Sequence, residues 1–276
     1  MKVMRSAKVL LASGIVIFAI FFLDAFQFWQ TSVEVAGRAA LGGFALLAAA
    51  VSLFLLSKSQ IDDVSPLDWL ACAFTILLAI AGFAGVSITL FAVYLLMKFP
   101  HDQNTKAAAT VAAAVAVQTT WAPLIFSTIS TPFLQIDAGI VGWLIGHIIP
   151  DATWSGTVVY TPSGHDVAIT PPCASFHNLS LASLCWITLT MFRRPHWAKG
   201  DLYIGLGAAL IQFGFNVWRL VFVCLSLPMY EFWHEGFGKH IFSAVATACA
   251  IIFVQIALVR SDQRGQHNGI GFARIS

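Results

Sequence analysis

A cysteine, a hydroxyl group and an imidazole lie close together in the segment Pro-Pro-Cys-Ala-Ser-Phe-His-Asn at 171–178. The thiolate form of cysteine is a strong nucleophile. Cys173 is the only one of the five cysteines that lies in a polar segment, and the same loop offers it no disulfide partner. This pattern indicates either a reactive thiol or an intermolecular disulfide. The other cysteines lie in apolar runs, where a free thiol behaves as a small hydrophobic group: Cys72, Cys185, Cys224 and Cys249.

A second polar feature, Asn216-Val-Trp-Arg219, lies inside a long apolar run. A charged side chain within a membrane costs at least a few kcal/mol unless it reaches the interface, a partner or a wet cavity. Asn216 precedes Arg219 by three residues and therefore shares its helix face. This favours an internal polar site over an arginine that extends along its own helix to the interface.

A histidine, His234, opens the last polar segment before the final apolar run. His234, Gly238 and Phe242 are spaced by four and share a face if the last helix begins near His234. Alone, such a histidine is more often an interfacial polar residue. With Cys173 and Arg219 it completes the requirements for cysteine catalysis: a nucleophile, a proton carrier and a cation for developing negative charge.

The elements that must position these residues are membrane-spanning helices. The chain has 276 residues, of which 58% are hydrophobic and 10% charged, and its mean hydropathy is +0.81. Soluble domains carry about 25% charged residues. We therefore expect an all-α integral membrane protein with a single domain over 1–276, and the net charge of +2 gives no reason to expect nucleic-acid binding.

Apolar runs of about 20 residues predict a bundle of about eight transmembrane helices. The first run lacks a convincing cleavage site and is interpreted as a retained span rather than a signal peptide. The run at 69–97 is long enough for one tilted helix or a broken pair. The predicted spans are 9–28, 39–57, 69–97, 107–129, 133–149, 179–192, 203–227 and 240–259.

Lysine and arginine in short loops predict the orientation, because they mark the cytoplasmic side. Both termini and the 193–201 loop carry such residues, whereas the 150–177 loop has none. Both termini are therefore expected in the cytoplasm and Cys173 at the outer face. The 98–106 loop, with Lys98 and Lys106, is an exception to this pattern.

The extracytoplasmic loop at 150–177 is predicted to contain a small β-hairpin before Cys173. Residues 157–160 and 166–170 are rich in β-branched side chains, and Ser163-Gly164 supplies a turn between them.

The order strand, turn, strand, Cys173, then Asn216-x-x-Arg219 in a span, then His234-x-x-x-Gly-x-x-x-Phe, resembles the exosortase/archaeosortase family over about residues 130–260. The resemblance implies a membrane cysteine protease or transpeptidase that cleaves a C-terminal sorting signal (PEP-CTERM-like) from secreted proteins at the outer membrane face. That signal is a short motif, a transmembrane helix and a basic tail.

The resemblance also implies roles for individual residues. Cys173 would be the nucleophile, His234 would protonate the leaving amine, and Arg219 would stabilise the thiolate or the oxyanion. Asn216 and His177 are the supporting residues. The family usually has Cys-Ser-Gly or Cys-Ala-Gly, whereas this chain has Cys-Ala-Ser at 173–175, which indicates a divergent member.

The resemblance implies a multi-pass enzyme located in the inner or plasma membrane of a bacterium or an archaeon. Its partners would be the secreted substrate, the lipid bilayer and an amine on an envelope acceptor. No cofactor and no metal are implied.

Three other functions remain open. A transporter would use Arg219 as a substrate contact, although no clear inverted repeat is present. A non-catalytic assembly factor for envelope or exopolysaccharide export would fit the altered residues after Cys173. A metal-dependent enzyme would need ligands from several segments to gather at the outer face, because none of the candidates shows a ligand spacing such as His-Glu-x-x-His. The candidates are His147, His165, Asp166, His177, His234 and His240.

Overall fold

The computed structural model describes residues 3–31, 35–61 and 65–272, with side-chain positions for 8–23, 43–61, 65–171 and 173–263. Almost all of this chain is helical. The helices are α1 (Val3–Thr31), α2 (Val35–Ser57), α3 (Pro66–Ile80), α4 (Ala84–Lys98), α5 (Gln103–Ala116), α6 (Ala122–Ile148), α7 (Ser175–Arg193), α8 (Asp201–Leu225), α9 (Leu227–Tyr230) and α10 (Gly238–Phe272). The strands are β1 (Thr153–Ser155), β2 (Val158–Tyr160) and β3 (Val167–Ala168).

Several helices have the length and composition needed to cross a membrane. Three described segments reach spanning length, namely Gln103–Ile148, Asp201–Leu225 and Gly238–Gln263. Shorter apolar helical stretches cover Lys8–Leu23, Gly43–Ser57, Pro66–Ile80 and Ala84–Lys98. The predicted helical membrane protein is therefore confirmed, whereas the count of about eight spans stays a prediction.

The long apolar run at 69–97 is a broken pair of helices, α3 and α4. The break lies at Gly82, whose φ of 87° is a left-handed conformation that glycine adopts without strain. The hydroxyl of Ser87 donates to the carbonyl of Thr75 at 2.6 Å and joins the two helices just inside the break.

The two spans predicted at 107–129 and 133–149 lie in one helical segment of 46 residues, Gln103–Ile148, with a π-helical turn at Val117–Trp121. The segment bends between the two predicted spans, so their separate crossing of the membrane stays a prediction. Its main irregularity is Ile129, with φ −122° and ψ 25°. Pro132 explains this kink, because its ring excludes one backbone hydrogen bond and crowds the preceding turn.

The break of the 69–97 run into α3 and α4 also changes the end of the bundle at which the 98–106 loop lies. The side chain of Asn104 donates to the carbonyl of Lys58 at the end of α2, at 3.1 Å. The end of α2 in turn meets the end of α7, where the rings of Phe54 and Phe192 are 6.0 Å apart. The 98–106 loop therefore lies at the same end of the bundle as the basic C-terminus of α7.

That end of the bundle is held by a charge cluster. Arg194, after α7, pairs with the buried Asp201 at the start of α8. It also pairs with Asp262 of α10 at 2.6 Å, and Arg193 binds the same carboxylate at 2.6 Å. The cluster ties α7, α8 and α10 together at the end opposite Cys173.

The predicted hairpin is part of a three-stranded antiparallel sheet in the order β1-β2-β3. Strand β1 was missing from the prediction, and it pairs with β2 through Trp154 opposite Val159. Trp154 also docks the sheet on α6, where a Cβ on Gly142 would lie 2.8 Å from the tryptophan side chain. A larger residue at 142 would push the sheet away from α6.

The buried core has two main parts. One joins α2, α4, α5 and α7 through small side chains, and the hydroxyl of Ser52 donates across it to the carbonyl of Ala108 at 2.8 Å. The other surrounds Cys173 with residues of α6, the sheet and α8. The predicted reactive cysteine therefore lies inside a packed cluster and not on a mobile tail.

Candidate active site

Cys173 ends a short 3₁₀ turn, Pro171–Cys173, between the sheet and α7. Its N–H donates to the carbonyl of Thr170 at 2.9 Å. Ala174 is extended, with φ −66° and ψ 146°, and α7 begins directly after it. The Cys173 side chain is therefore fixed at the N-terminal end of α7, and the residue is only 4% exposed.

His234 is the main polar neighbour of the thiol. The Cys173 Sγ and His234 Nε2 atoms are 2.7 Å apart, and the Thr170 hydroxyl lies 3.7 Å from the same sulfur. His234 lies in a π-helical turn, Glu231–Glu235, and the last helix begins only at Gly238. The condition under which His234, Gly238 and Phe242 would share one helix face is therefore not met. A separate turn, and not the last helix, carries the imidazole to the sulfur.

The surroundings of Cys173 favour its thiolate. Burial raises the pKa of the thiol, but the hydrogen bond from His234, the positive charge of that ring and the Thr170 hydroxyl act in the opposite direction. The charge of Arg219 adds a smaller contribution of the same sign. The net result is a Cys173 pKa below its usual value, which increases the thiolate fraction at neutral pH.

The first prediction concerns this pKa. The rate of Cys173 alkylation by iodoacetamide should rise with pH around a midpoint below that of an ordinary cysteine, because the thiolate is the reacting form. In a His234→Ala variant the burial that raises the pKa remains and the main lowering influence is lost, so the midpoint should move above the ordinary value. Mass spectrometry of the Cys173 peptide across pH 5–10 measures both curves. Identical midpoints would contradict the pairing.

Arg219 and Asn216 both face the backbone of the nucleophile. The Asn216 Nδ2 atom donates to the Cys173 carbonyl at 3.0 Å, and the Arg219 Nη2 atom lies 3.4 Å from the same oxygen. The Arg219 Nε atom is buried and has no hydrogen-bond partner in the described part of the chain. The guanidinium therefore lies against the Cys173 backbone and does not extend away from the site.

A polar network holds the start of α7. Asn216 Nδ2 also lies 3.0 Å from the Ser175 hydroxyl, and Asn216 Oδ1 accepts from Asn178 at 2.9 Å. From α6, Asp137 accepts the Ser175 N–H at 2.8 Å. Sequence reasoning missed Asp137, although a lone acidic residue in an apolar span is itself a signal of an internal polar contact.

The second prediction concerns Asp137, which is 3% exposed. Asp137→Leu leaves the Ser175 N–H without its acceptor. An unsatisfied buried donor lowers the free energy of unfolding by about 1–3 kcal/mol. We expect alkylation of Cys173 at pH 7 to slow by about tenfold, since the turn no longer holds the sulfur against the imidazole. Asp137→Asn retains an acceptor oxygen and serves as the matched control. Equal alkylation rates in the two variants would contradict this role.

The structure does not bring every predicted residue to the sulfur. In the described part of the chain the hydrogen-bond partners of the thiol are His234 and Thr170, so His177 is not one of them. Among the side chains described, no three histidine, cysteine, aspartate or glutamate residues form a group that could hold a metal ion.

Comparison with known proteins gives one match. A family model described as transmembrane exosortase matches residues 9–252. The match extends well beyond the region of 130–260 in which the resemblance is visible by inspection. No curated protein and no solved structure matches the chain.

Proposed function

The chain belongs to the transmembrane exosortase family, and from this premise we propose that it is a membrane-embedded cysteine transpeptidase or protease. Its substrates would be secreted proteins with a C-terminal sorting signal. The observation that carries the proposal is the contact of 2.7 Å between Cys173 Sγ and His234 Nε2. A nucleophile and its base within hydrogen-bond distance are the geometric requirement for covalent catalysis.

The distribution of charge supports an outer location for the site. Helix α7 has 19 residues between Ser175 and Arg193, which is about 28 Å at 1.5 Å per residue. Cys173 therefore lies about one bilayer core away from Arg193 and from the 98–106 loop. Because basic loops face the cytoplasm, the proposal sets Cys173 at the extracytoplasmic face.

The proposed reaction begins with the Cys173 thiolate and the His234 imidazolium. The sulfur attacks the carbonyl carbon of the scissile peptide bond, and a carbon–sulfur bond forms as the carbonyl electron pair moves onto oxygen. Arg219 donates to this oxyanion. The oxyanion then collapses, the carbon–nitrogen bond breaks, and His234 gives its proton to the leaving amine.

The second half of the reaction releases the thioester. Water or an amine on an envelope acceptor attacks the thioester carbonyl while neutral His234 accepts a proton from the attacking group. The carbon–sulfur bond breaks and the Cys173 thiolate returns. The substrate's terminal helix would reach the site from the bilayer, which leaves the cleaved helix and basic tail in the membrane.

Capture of the thioester tests this proposal. The protein is produced with a secreted protein that carries a short C-terminal motif, a helix and a basic tail, and the reaction is stopped in acid. We expect the Cys173 peptide to carry the N-terminal part of the substrate and to lose it on treatment with hydroxylamine. Cleavage without this adduct, or an adduct on Cys185 instead, would overturn the assignment.

A further inference from the structure

Among the described residues, no hydrogen-bond acceptor orients the ring of His234. In most cysteine–histidine pairs a third side chain accepts the second ring N–H and fixes the ring. Here the Nδ1 atom of His234 is buried and has no hydrogen-bond partner in the described part of the chain. Something else must hold the ring so that Nε2 points at the sulfur.

An aromatic ring occupies one face of His234. The Tyr230 and His234 rings are stacked, with centroids 4.7 Å apart and planes inclined by 19°. Tyr230 ends α9, and its N–H donates to the carbonyl of Ser226 at 2.9 Å. The two residues are four apart across the junction with the π-helical turn, so the local fold itself brings the rings together.

Tyr230 in turn contacts His165, which lies in the loop between β2 and β3. The ring of His165 meets Tyr230 edge to face, at 5.8 Å and 81°. The Nε2 atom of His165 lies 3.0 Å from the carbonyl of Val223 near the end of α8. The order His165, Tyr230, His234, Cys173 therefore forms a packed row that links the sheet to the sulfur.

We propose that Tyr230 is the positioning residue for His234, and that its ring takes the part usually played by a hydrogen-bond acceptor. The inference rests on the proposed function, because it concerns the same cysteine–histidine pair. The stacked ring prevents the imidazole from rotating away from Cys173. Its π face also attracts the imidazolium that forms together with the thiolate.

The surrounding charges are compatible with this role. The charged or titratable groups near the two rings are Cys173, Arg219, Glu235, Glu231 of the same turn, and His165. Burial raises the pKa of the Tyr230 hydroxyl, and the charges of Glu235 and Cys173 raise it further. The phenol therefore stays neutral at working pH and acts through its ring.

The test compares variants that keep or remove the ring. Tyr230→Phe retains the stacked face, and its Cys173 alkylation rate and pH midpoint should stay within about twofold of the wild type. Tyr230→Leu removes the face, and alkylation by iodoacetamide at pH 7 should slow by about tenfold with a midpoint shifted upward. Tyr203→Leu, at a position that is 75% exposed on α8, is the matched control.

A double-mutant cycle separates positioning from general stability. In a His234→Ala background, Tyr230→Leu should have no further effect on alkylation, since Tyr230 acts through the ring that is missing. If Tyr230→Leu does not fold, Tyr230→Met, which has no ring, replaces it. The inference is overturned if Tyr230→Leu leaves the alkylation rate unchanged, or if its effect adds to that of His234→Ala. It is also overturned if Tyr230→Phe lowers the alkylation rate as much as Tyr230→Leu does.

Alkylation needs no substrate, so it separates this inference from the proposed function. If Cys173→Ala still processes substrate while the cycle behaves as expected, the proposed function fails and the stacked pair remains. If processing depends on Cys173 while the Phe and Leu variants behave alike, only the inference about Tyr230 fails.

Discussion

Cys173→Ala is expected to abolish processing of a secreted substrate, with a loss of at least about a thousandfold. Removal of a covalent nucleophile leaves only the contributions of binding and oxyanion stabilisation. Cys173→Ser is expected to lose almost as much. A hydroxyl at this position gains little from surroundings that favour a thiolate, because its own pKa lies far above that of a thiol.

The measurement is the fraction of mature substrate in cells that carry each variant. Cys185→Ala is the matched control, because Cys185 is a buried cysteine of α7, the helix that follows Cys173, and belongs to the other part of the core. The Cys185→Ala variant should process the substrate normally if it folds. Substrate maturation that continues with Cys173→Ala would instead favour a transporter or an assembly factor.

Arg219→Gln is expected to lower the processing rate by about a hundredfold to a thousandfold, the usual effect of removing an oxyanion donor. The side chain lies 3.4 Å from the Cys173 carbonyl, and its buried Nε atom has no hydrogen-bond partner among the residues that the structure describes. Glutamine keeps part of the polarity but not the charge. Arg219→Lys keeps the charge but not the planar fork of donors, so we expect it to recover only part of the rate.

Alkylation of Cys173 distinguishes the two roles considered for Arg219. His234 lowers the pKa of the thiol more than Arg219 does. The alkylation midpoint should therefore change little in Arg219→Gln while processing falls steeply, as expected of an oxyanion donor. A midpoint that rises as far as in His234→Ala would make Arg219 a partner of the thiolate instead. Arg260→Gln, an exposed arginine of α10, is the control for loss of charge.

Several features were readable directly from the order of residues. Low charge and long apolar runs indicate a helical membrane protein, because too few polar groups are present to cover a water-facing surface. The position of Cys173 in a polar loop and of Arg219 in an apolar run marks both residues as unusual, since each residue type is costly or reactive in that setting. Local turn residues were enough to indicate β2 and β3 before Cys173, but not β1.

Helix boundaries were less readable, because apolar composition does not report where a helix bends or breaks. Gly82 breaks one run, whereas Pro132 only kinks another. After Gly82 the chain turns back, and Ser87 of α4 contacts Thr75 of α3. This turn determines which end of the bundle holds Lys98 and Lys106.

What the sequence determined by itself is the class of protein and the types of group available for chemistry, since both follow from composition and local context. Only the tertiary structure decided which of these groups meet. His177 is close to Cys173 along the chain, yet the sulfur contacts His234, which is 61 residues away. Asp137 meets Ser175, and His234 meets Cys173, through packing between elements distant in sequence. Neither pairing leaves a local pattern that names the partner.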